Sequence, residues 1–269
     1  MELIMTTRAD LIANRSDRFN KVPEAALIFW VIKLLSTTVG ETGADYFAVS
    51  IGLGALVTSL LCAALLIAVL VMQLRAPTYV PWIYWMTVVL VSIVGTQITD
   101  ALTDGLSISL YISTSVFAVC LAAVFFAWYR AEGTLSIRSI NTRPRELFYW
   151  TAILVTFALG TAAGALATEA LGLGFALGIV VFGGLIALTA FARYFGAGAV
   201  LTFWTAYILT RPLGASLGDF LSQSKTYGGL GWGSVGTSAV FLSVIVALVA
   251  FVSVRHASHV RSSRAVNEL

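Results

Sequence analysis

The sequence predicts an all-α polytopic membrane protein with eight transmembrane helices. Of its 269 residues, 59% are hydrophobic and 11% are charged, whereas a soluble domain carries about 25% charged residues. The apolar stretches are long and continuous, which separates them from the alternating strands of a membrane barrel. The positively charged residues between these stretches gather on one predicted side of the membrane.

Eight segments have the length of a transmembrane helix, about 20 mostly apolar residues. They cover residues 24–45, 49–74, 81–103, 107–130, 147–168, 171–193, 197–219 and 232–254. The segment 1–21 is polar, with no apolar core and no cleavage site, so we do not expect a secretory signal there.

The distribution of positive charge supports an even number of spans. With eight spans, 13 of the 16 Lys and Arg residues fall in the two tails or in the even-numbered connections. The positive-inside rule then places both termini in the cytoplasm. An odd number of spans would divide these residues between the two sides.

The chain repeats a two-helix unit four times. The first helix of each unit contains a tryptophan: Trp30, Trp85, Trp150 and Trp204. Ten residues later every copy has a glycine: Gly40, Gly95, Gly160 and Gly214. Fourteen residues later every copy has a small residue: Ala44, Thr99, Gly164 and Gly218. A repeat of two spans predicts four parallel units with pseudo-symmetry about the membrane normal.

Small residues spaced by four form a smooth groove that lets membrane helices approach closely. We therefore expect the four tryptophan-bearing helices to meet around a common axis. The predicted organisation is a cytoplasmic tail (1–22), repeat 1 (23–75), repeat 2 (76–131), a cytoplasmic connection (132–146), repeat 3 (147–194), repeat 4 (195–255) and a cytoplasmic tail (256–269).

The repeat resembles a known family. Its motifs are "FW" at 29–30, "YW" at 84–85, "YW" at 149–150 and "FW" at 203–204, followed by "TTVGETGAD", "VSIVGTQITD", "TFALGTAAGA" and "RPLGASLGD". This pattern resembles a family of bacterial, uncharacterised membrane-anchored proteins built from four tandem two-helix repeats of unknown function. The resemblance implies the repeat architecture and a bacterial cytoplasmic membrane, but no reaction or substrate.

Acidic residues recur at the far end of the tryptophan-bearing helices. Fifteen residues after the tryptophan lie Asp45, Asp100 and Asp219, and eleven or nineteen residues after it lie Glu41, Asp104 and Glu169. These positions are spaced by four, so they share one helix face. Acids inside membrane spans are costly and usually functional, and clustered carboxylates favour cations. We predict that these six acids form an ion-binding site, with Asp104 and Glu169 equally compatible with ordinary helix ends.

Two cations fall in the middle of predicted spans. Lys33 and Arg211 lie too deep to reach the interface, so we expect them to pair with carboxylates or line a wet cavity. An ion pair that only fixes helix packing is the alternative. Serine and threonine hydroxyls on the same helices add oxygen ligands of the kind preferred by hard cations or protons, and nothing predicts an organic cofactor or identifies a metal.

These features predict a non-enzymatic transporter of a small cation, such as a divalent metal ion. Export, proton coupling and homo-oligomerisation stay open, and the predicted partners are the lipid bilayer and the cation or proton, with no nucleic acid. One alternative is an intramembrane aspartyl-type enzyme, because "SLGD" at 216–219 resembles part of such a signature. The other is a membrane scaffold or sensor that transports nothing.

Overall fold

A computed structural model of the chain describes residues 20–45 and 54–267. These residues form eight α-helices: α1 (Leu27–Asp45), α2 (Ala55–Arg75), α3 (Pro81–Asp100), α4 (Leu110–Glu132), α5 (Arg143–Ala165), α6 (Gly174–Tyr194), α7 (Ala199–Ser222) and α8 (Gly233–Asn267). Two of them, α3 and α5, continue into a π-helical turn, at Ala101–Gly105 and Leu166–Ala170.

The helices match the predicted segments in number and order, and most ends agree within a few residues. The last helix differs most, because α8 continues to Asn267 through most of the predicted tail. Between Thr237 and Asn267 the sequence contains neither glycine nor proline. Nothing in this segment therefore interrupts the helical hydrogen bonds.

Six of the helices are long and apolar enough to cross a membrane: α2, α3, α4, α5, α6 and α8. The other two, α1 and α7, contain the mid-helix charges Lys33 and Arg211. Both of these side chains are fully buried, so the surrounding helices enclose the charges that lower the hydropathy of α1 and α7.

The tryptophan-bearing helices form a closed inner ring. Within it α1 packs against α3, α3 against α5, α5 against α7, and α7 against α1. The even-numbered helices lie outside the ring, with α2 on α3, α4 on α5, α6 on α7 and α8 on α1. In their most apolar windows, 78% of α3 and 61% of α5 is buried, against 11–22% of the four outer helices.

The glycines ten residues after each tryptophan lie at the contacts between ring helices. The contacting pairs are Gly40 with Ser92, Gly95 with Phe157, Gly160 with Arg211, and Gly214 with Thr37. Each opposing residue lies seven residues after the tryptophan of its own repeat. A Cβ atom at Gly95 would come within 2.6 Å of the Phe157 Cβ, so the backbones approach more closely than any larger residue would permit.

An aromatic layer closes one end of the ring. It consists of the four tryptophans and the aromatic residue before each: Phe29, Trp30, Tyr84, Trp85, Tyr149, Trp150, Phe203 and Trp204. Rings of neighbouring repeats meet in sequence, with centroids 5.4 Å apart for Phe29 and Trp85 and 5.4 Å for Tyr84 and Trp150. The hydroxyls of Tyr84 and Tyr149 share a hydrogen bond of 2.6 Å. This layer is a packed core rather than an opening.

Candidate functional site

A cavity of about 490 Å³ lies at the opposite end of the ring from the aromatic layer. Five of the six predicted acids line it: Glu41, Asp100, Asp104, Glu169 and Asp219. They come from α1, from α3 and its π turn, from the π turn after α5, and from α7, so every ring helix contributes. We call this space the acidic cavity.

The remaining predicted acid is Asp45, whose side chain lies outside the described residues. Repeat 3 has Ala165 where the other repeats have aspartate, and Ala165 also lines the acidic cavity. The wall formed by α5 therefore has its carboxylate one turn further along, at Glu169.

The two π turns occupy equivalent places in repeats 2 and 3. Each begins sixteen residues after the tryptophan, and each carries the acid that lies nineteen residues after it, Asp104 or Glu169. A π turn widens the helix by one residue and is often found at functional sites. The sequence analysis did not predict these π turns, because the four-residue spacing of the acids was interpreted as a regular α-helix.

Threonine hydroxyls complete the polar lining of the acidic cavity. The Thr99 hydroxyl donates to the backbone oxygen of Ala158 at 3.0 Å and thereby links α3 to α5. Thr103 donates to the Thr99 oxygen at 3.0 Å, and Thr161 donates to the Phe157 oxygen at 3.0 Å. A hydroxyl that donates its proton to the backbone keeps lone pairs available to a cation.

A buried ion pair borders the acidic cavity on its inner side. Arg211 is fully buried on α7, and its Nη2 donates to Glu41 Oε2 on α1 at 2.7 Å. The same Nη2 donates to the Thr96 hydroxyl on α3, and Nη1 donates to the Thr37 oxygen at 3.4 Å. Arg211 therefore connects three of the four ring helices directly beside a carboxylate that faces the cavity.

Lys33 differs from the expectation of a carboxylate partner. Its side chain is fully buried, and its Nζ lies 4.1 Å from the centroid of the Phe157 ring and 4.3 Å from that of Tyr207. In the part of the chain that the structure describes, this Nζ has no hydrogen-bond partner. Its contacts are aromatic faces, whereas Glu41, eight residues further along α1, is paired with Arg211.

A second buried ion pair was not predicted from the sequence. Lys21, assigned to the polar tail, places its Nζ 2.7 Å from Glu146 Oε2 at the start of α5. Gln73 donates to Glu146 Oε1 at 3.0 Å, and Lys21 also donates to the Leu74 oxygen at 3.1 Å. This cluster joins the segment before α1 to the end of α2 and the start of α5.

Carboxylate, hydroxyl and amide side chains make up most of the lining of the acidic cavity. Among the described residues, no group of three or more His, Cys, Asp or Glu side chains is placed to hold a metal ion directly. The cavity volume of about 490 Å³ leaves room for several ordered waters. Five carboxylates around this volume would attract a hydrated cation through charge and water-mediated contacts.

The repeats match a known family model. A model described as a repeat of unknown function, DUF347, matches residues 28–79, 83–134, 148–198 and 202–258. The chain belongs to the DUF347 family. The four matches confirm the four tandem repeats that the tryptophan spacing predicts. No curated protein and no solved structure matches this DUF347 protein.

Proposed function

We propose that this DUF347 protein is a membrane transporter of a small hydrated cation, with a divalent metal ion as the leading candidate. The observation that carries the proposal is that five carboxylates, contributed by all four ring helices, line one cavity. Carboxylate clusters in membrane proteins favour cations, and intramembrane charges usually mark ion pathways.

The proposal includes eight spans, in which α1 and α7 also cross the membrane and the helices around them cover their buried charges. The contacts between equivalent positions around the ring support four parallel repeats with pseudo-symmetry about the membrane normal. The positive residues in the tails and even-numbered connections support cytoplasmic termini. The aromatic layer then lies toward the cytoplasm, and the acidic cavity opens toward the opposite side.

The mechanism follows from the two ends of the ring. A cation enters the acidic cavity and meets the Glu41–Arg211 pair, beyond which the aromatic layer blocks the way. Passage requires the ring helices to move, so we propose alternating access rather than an open channel. Protons compete with the cation, because protonation of the carboxylates removes the charge that attracts it.

The test is cation flux into proteoliposomes that contain a fluorescent metal chelator, with Mn²⁺, Mg²⁺ and Ca²⁺ supplied separately. We expect Asp219→Asn and Asp100→Asn to lower the flux of the transported ion by at least about tenfold, because each removes a unit charge from the cavity. The control is Glu24→Gln, since Glu24 is exposed and lies before α1.

Two results would contradict the proposal in different ways. Wild-type flux in both aspartate variants would exclude the acidic cavity as the binding site. No flux of any of the three ions above that of empty liposomes, with a protein that unfolds cooperatively, would reject transport of these cations.

A further inference from the structure

A second cavity, of about 550 Å³, opens between the outer helix α4 and the ring helix α5. Its lining is almost wholly apolar and consists of Ala123, Val124, Ala127, Pro144, Leu147, Phe148 and Thr151. We call it the outer groove. It shares no lining residue with the acidic cavity, so the transport proposal leaves it without a role.

The outer groove follows the two helices for a short distance. On α4, Ala123 and Ala127 are one turn apart, and on α5, Leu147 and Thr151 are one turn apart. Measured from Arg130 on α4 and from Arg143 on α5, the groove extends about 10–12 Å at 1.5 Å per residue. That is most of the roughly 15 Å that one leaflet of the hydrocarbon core provides.

Positive charge collects at one end of the outer groove. Arg130 is three residues after Ala127, and Arg143 is four residues before Leu147, so each arginine shares a helix face with a groove residue. Arg138 lies in the connection between the two helices, and all three arginines are exposed. Within the described residues none of them forms a salt bridge.

The charge of a neighbouring arginine, by contrast, is compensated by a carboxylate. Arg145 places its Nε 2.7 Å from Glu132 Oε2 and also donates to the Ser139 oxygen at 3.1 Å. Glu132 is therefore already occupied. Three uncompensated guanidinium groups next to an apolar groove are complementary to a ligand with an anionic head and a hydrocarbon chain.

We propose that the outer groove binds an anionic phospholipid, with an acyl chain against α4 and α5 and the phosphate at Arg130 and Arg143. Guanidinium groups bind phosphate in a bidentate manner, and basic pockets between membrane helices recognise anionic headgroups. The lipid would cover the apolar lining and neutralise the arginines at the same time. This proposal requires a membrane protein but not cation transport, so the two proposals can fail separately.

The floor of the groove connects the lipid to the inner ring. Phe148 stacks against the buried Trp128, with centroids 6.3 Å apart and planes 4° from parallel. Trp128 in turn meets Trp204 of the aromatic layer at 5.8 Å, and Trp204 Nε1 donates to the Leu135 oxygen at 3.0 Å. A bound acyl chain would therefore hold α4 and α5 against α7.

The test is native mass spectrometry of the full-length protein in detergent, titrated with phosphatidylglycerol or phosphatidylcholine of the same chain length. We expect tighter binding of phosphatidylglycerol. Each arginine near a phosphate contributes about fivefold in affinity, so Arg130→Gln with Arg143→Gln should weaken phosphatidylglycerol binding about 25-fold. Phosphatidylcholine binding should weaken much less, because the choline ammonium already compensates the phosphate of that lipid. Ala127→Phe, which fills the groove without changing charge, should weaken both.

The matched control is Arg193→Gln, because Arg193 is an exposed arginine at the end of the outer helix α6, away from the groove. Dihexanoyl phosphatidylglycerol and inorganic phosphate separate the chain from the headgroup, and both should bind more weakly than the long-chain lipid. Equal affinity for the two lipids, or an equal loss in Arg193→Gln, would overturn the proposal. So would a dimer that Ala127→Phe dissociates, since a second copy would then occupy the groove.

Discussion

Two buried cations in the ring have different surroundings. Arg211 is held by oxygens of Glu41, Thr96 and Thr37, so its charge is compensated. Lys33 has two aromatic faces, and a desolvated cation–π contact is worth about 2 kcal/mol, well below the cost of burying an isolated charge. Compensation by oxygens explains the burial of Arg211 but not that of Lys33, whose aromatic contacts alone do not offset the cost of burial.

A single methyl group at a close glycine contact should destabilise the ring. In Gly95→Ala the added Cβ would lie 2.6 Å from the Phe157 Cβ and 3.3 Å from the backbone nitrogen of Ala158, so α3 and α5 must separate. We expect a loss of about 1–3 kcal/mol in the free energy of unfolding, the usual cost of overpacking. The control is Gly184→Ala, because a Cβ there meets nothing within 4 Å. Equal thermal unfolding midpoints of the two variants in detergent would contradict a close glycine contact.

The sequence predicted the residues of the acidic cavity best where acidic positions recur in the repeats. Acids at fixed distances from each tryptophan predicted the five carboxylates that share the acidic cavity, because equivalent positions of a repeat lie at equivalent depths. The partners of single residues were not predictable. Glu146 pairs with Lys21 across 125 positions of the chain, and nothing in the local pattern of either residue indicates the other.

At the scale of the element, the π turns determine where the last carboxylates point. Helix α5 ends at Ala165, and the π turn Leu166–Ala170 presents Glu169 to the acidic cavity. Such turns contain one residue more than a regular helix, whereas the sequence predicted a regular helix that ended at residue 168. The helical period, read alone, cannot show where one residue is accommodated without breaking the helix.

Deletion of Ala167 should restore a regular helical turn and pull Glu169 back along the helix by one residue, about 1.5 Å, away from its present place in the cavity wall. We expect lower cation flux with little change in thermal stability, because the turn lies at the end of the ring and not in its core. Glu169→Gln is the comparison, since it removes the charge without changing the backbone. If the turn acts by orienting this carboxylate, the two variants should lose similar flux, and full flux in the deletion variant would contradict that role.

At the scale of the whole molecule, no repeat is a folding unit by itself. Each outer helix packs on the ring helix of the following repeat, and α8 closes the circle on α1. The tryptophan spacing predicted the ring but not this exchange, because the partner of an outer helix depends on tertiary packing and not on its own apolar face. The Glu41–Arg211 pair, between repeats 1 and 4, reinforces the same closure.

The cyclic closure predicts that the two halves of the chain depend on each other. When residues 1–141 and 142–269 are expressed separately, Glu41 and Arg211 lose each other, and an unpartnered buried charge costs about 3–5 kcal/mol. Each half also loses the contacts of α3 with α5, α4 with α5, and α1 with α7 and α8. We therefore expect each half alone to be degraded, and the two expressed together to co-purify through a tag on one of them. The first half carrying Glu41→Gln should co-purify less. A half that is stable and monodisperse on its own would contradict the prediction that the ring forms only when both halves are present.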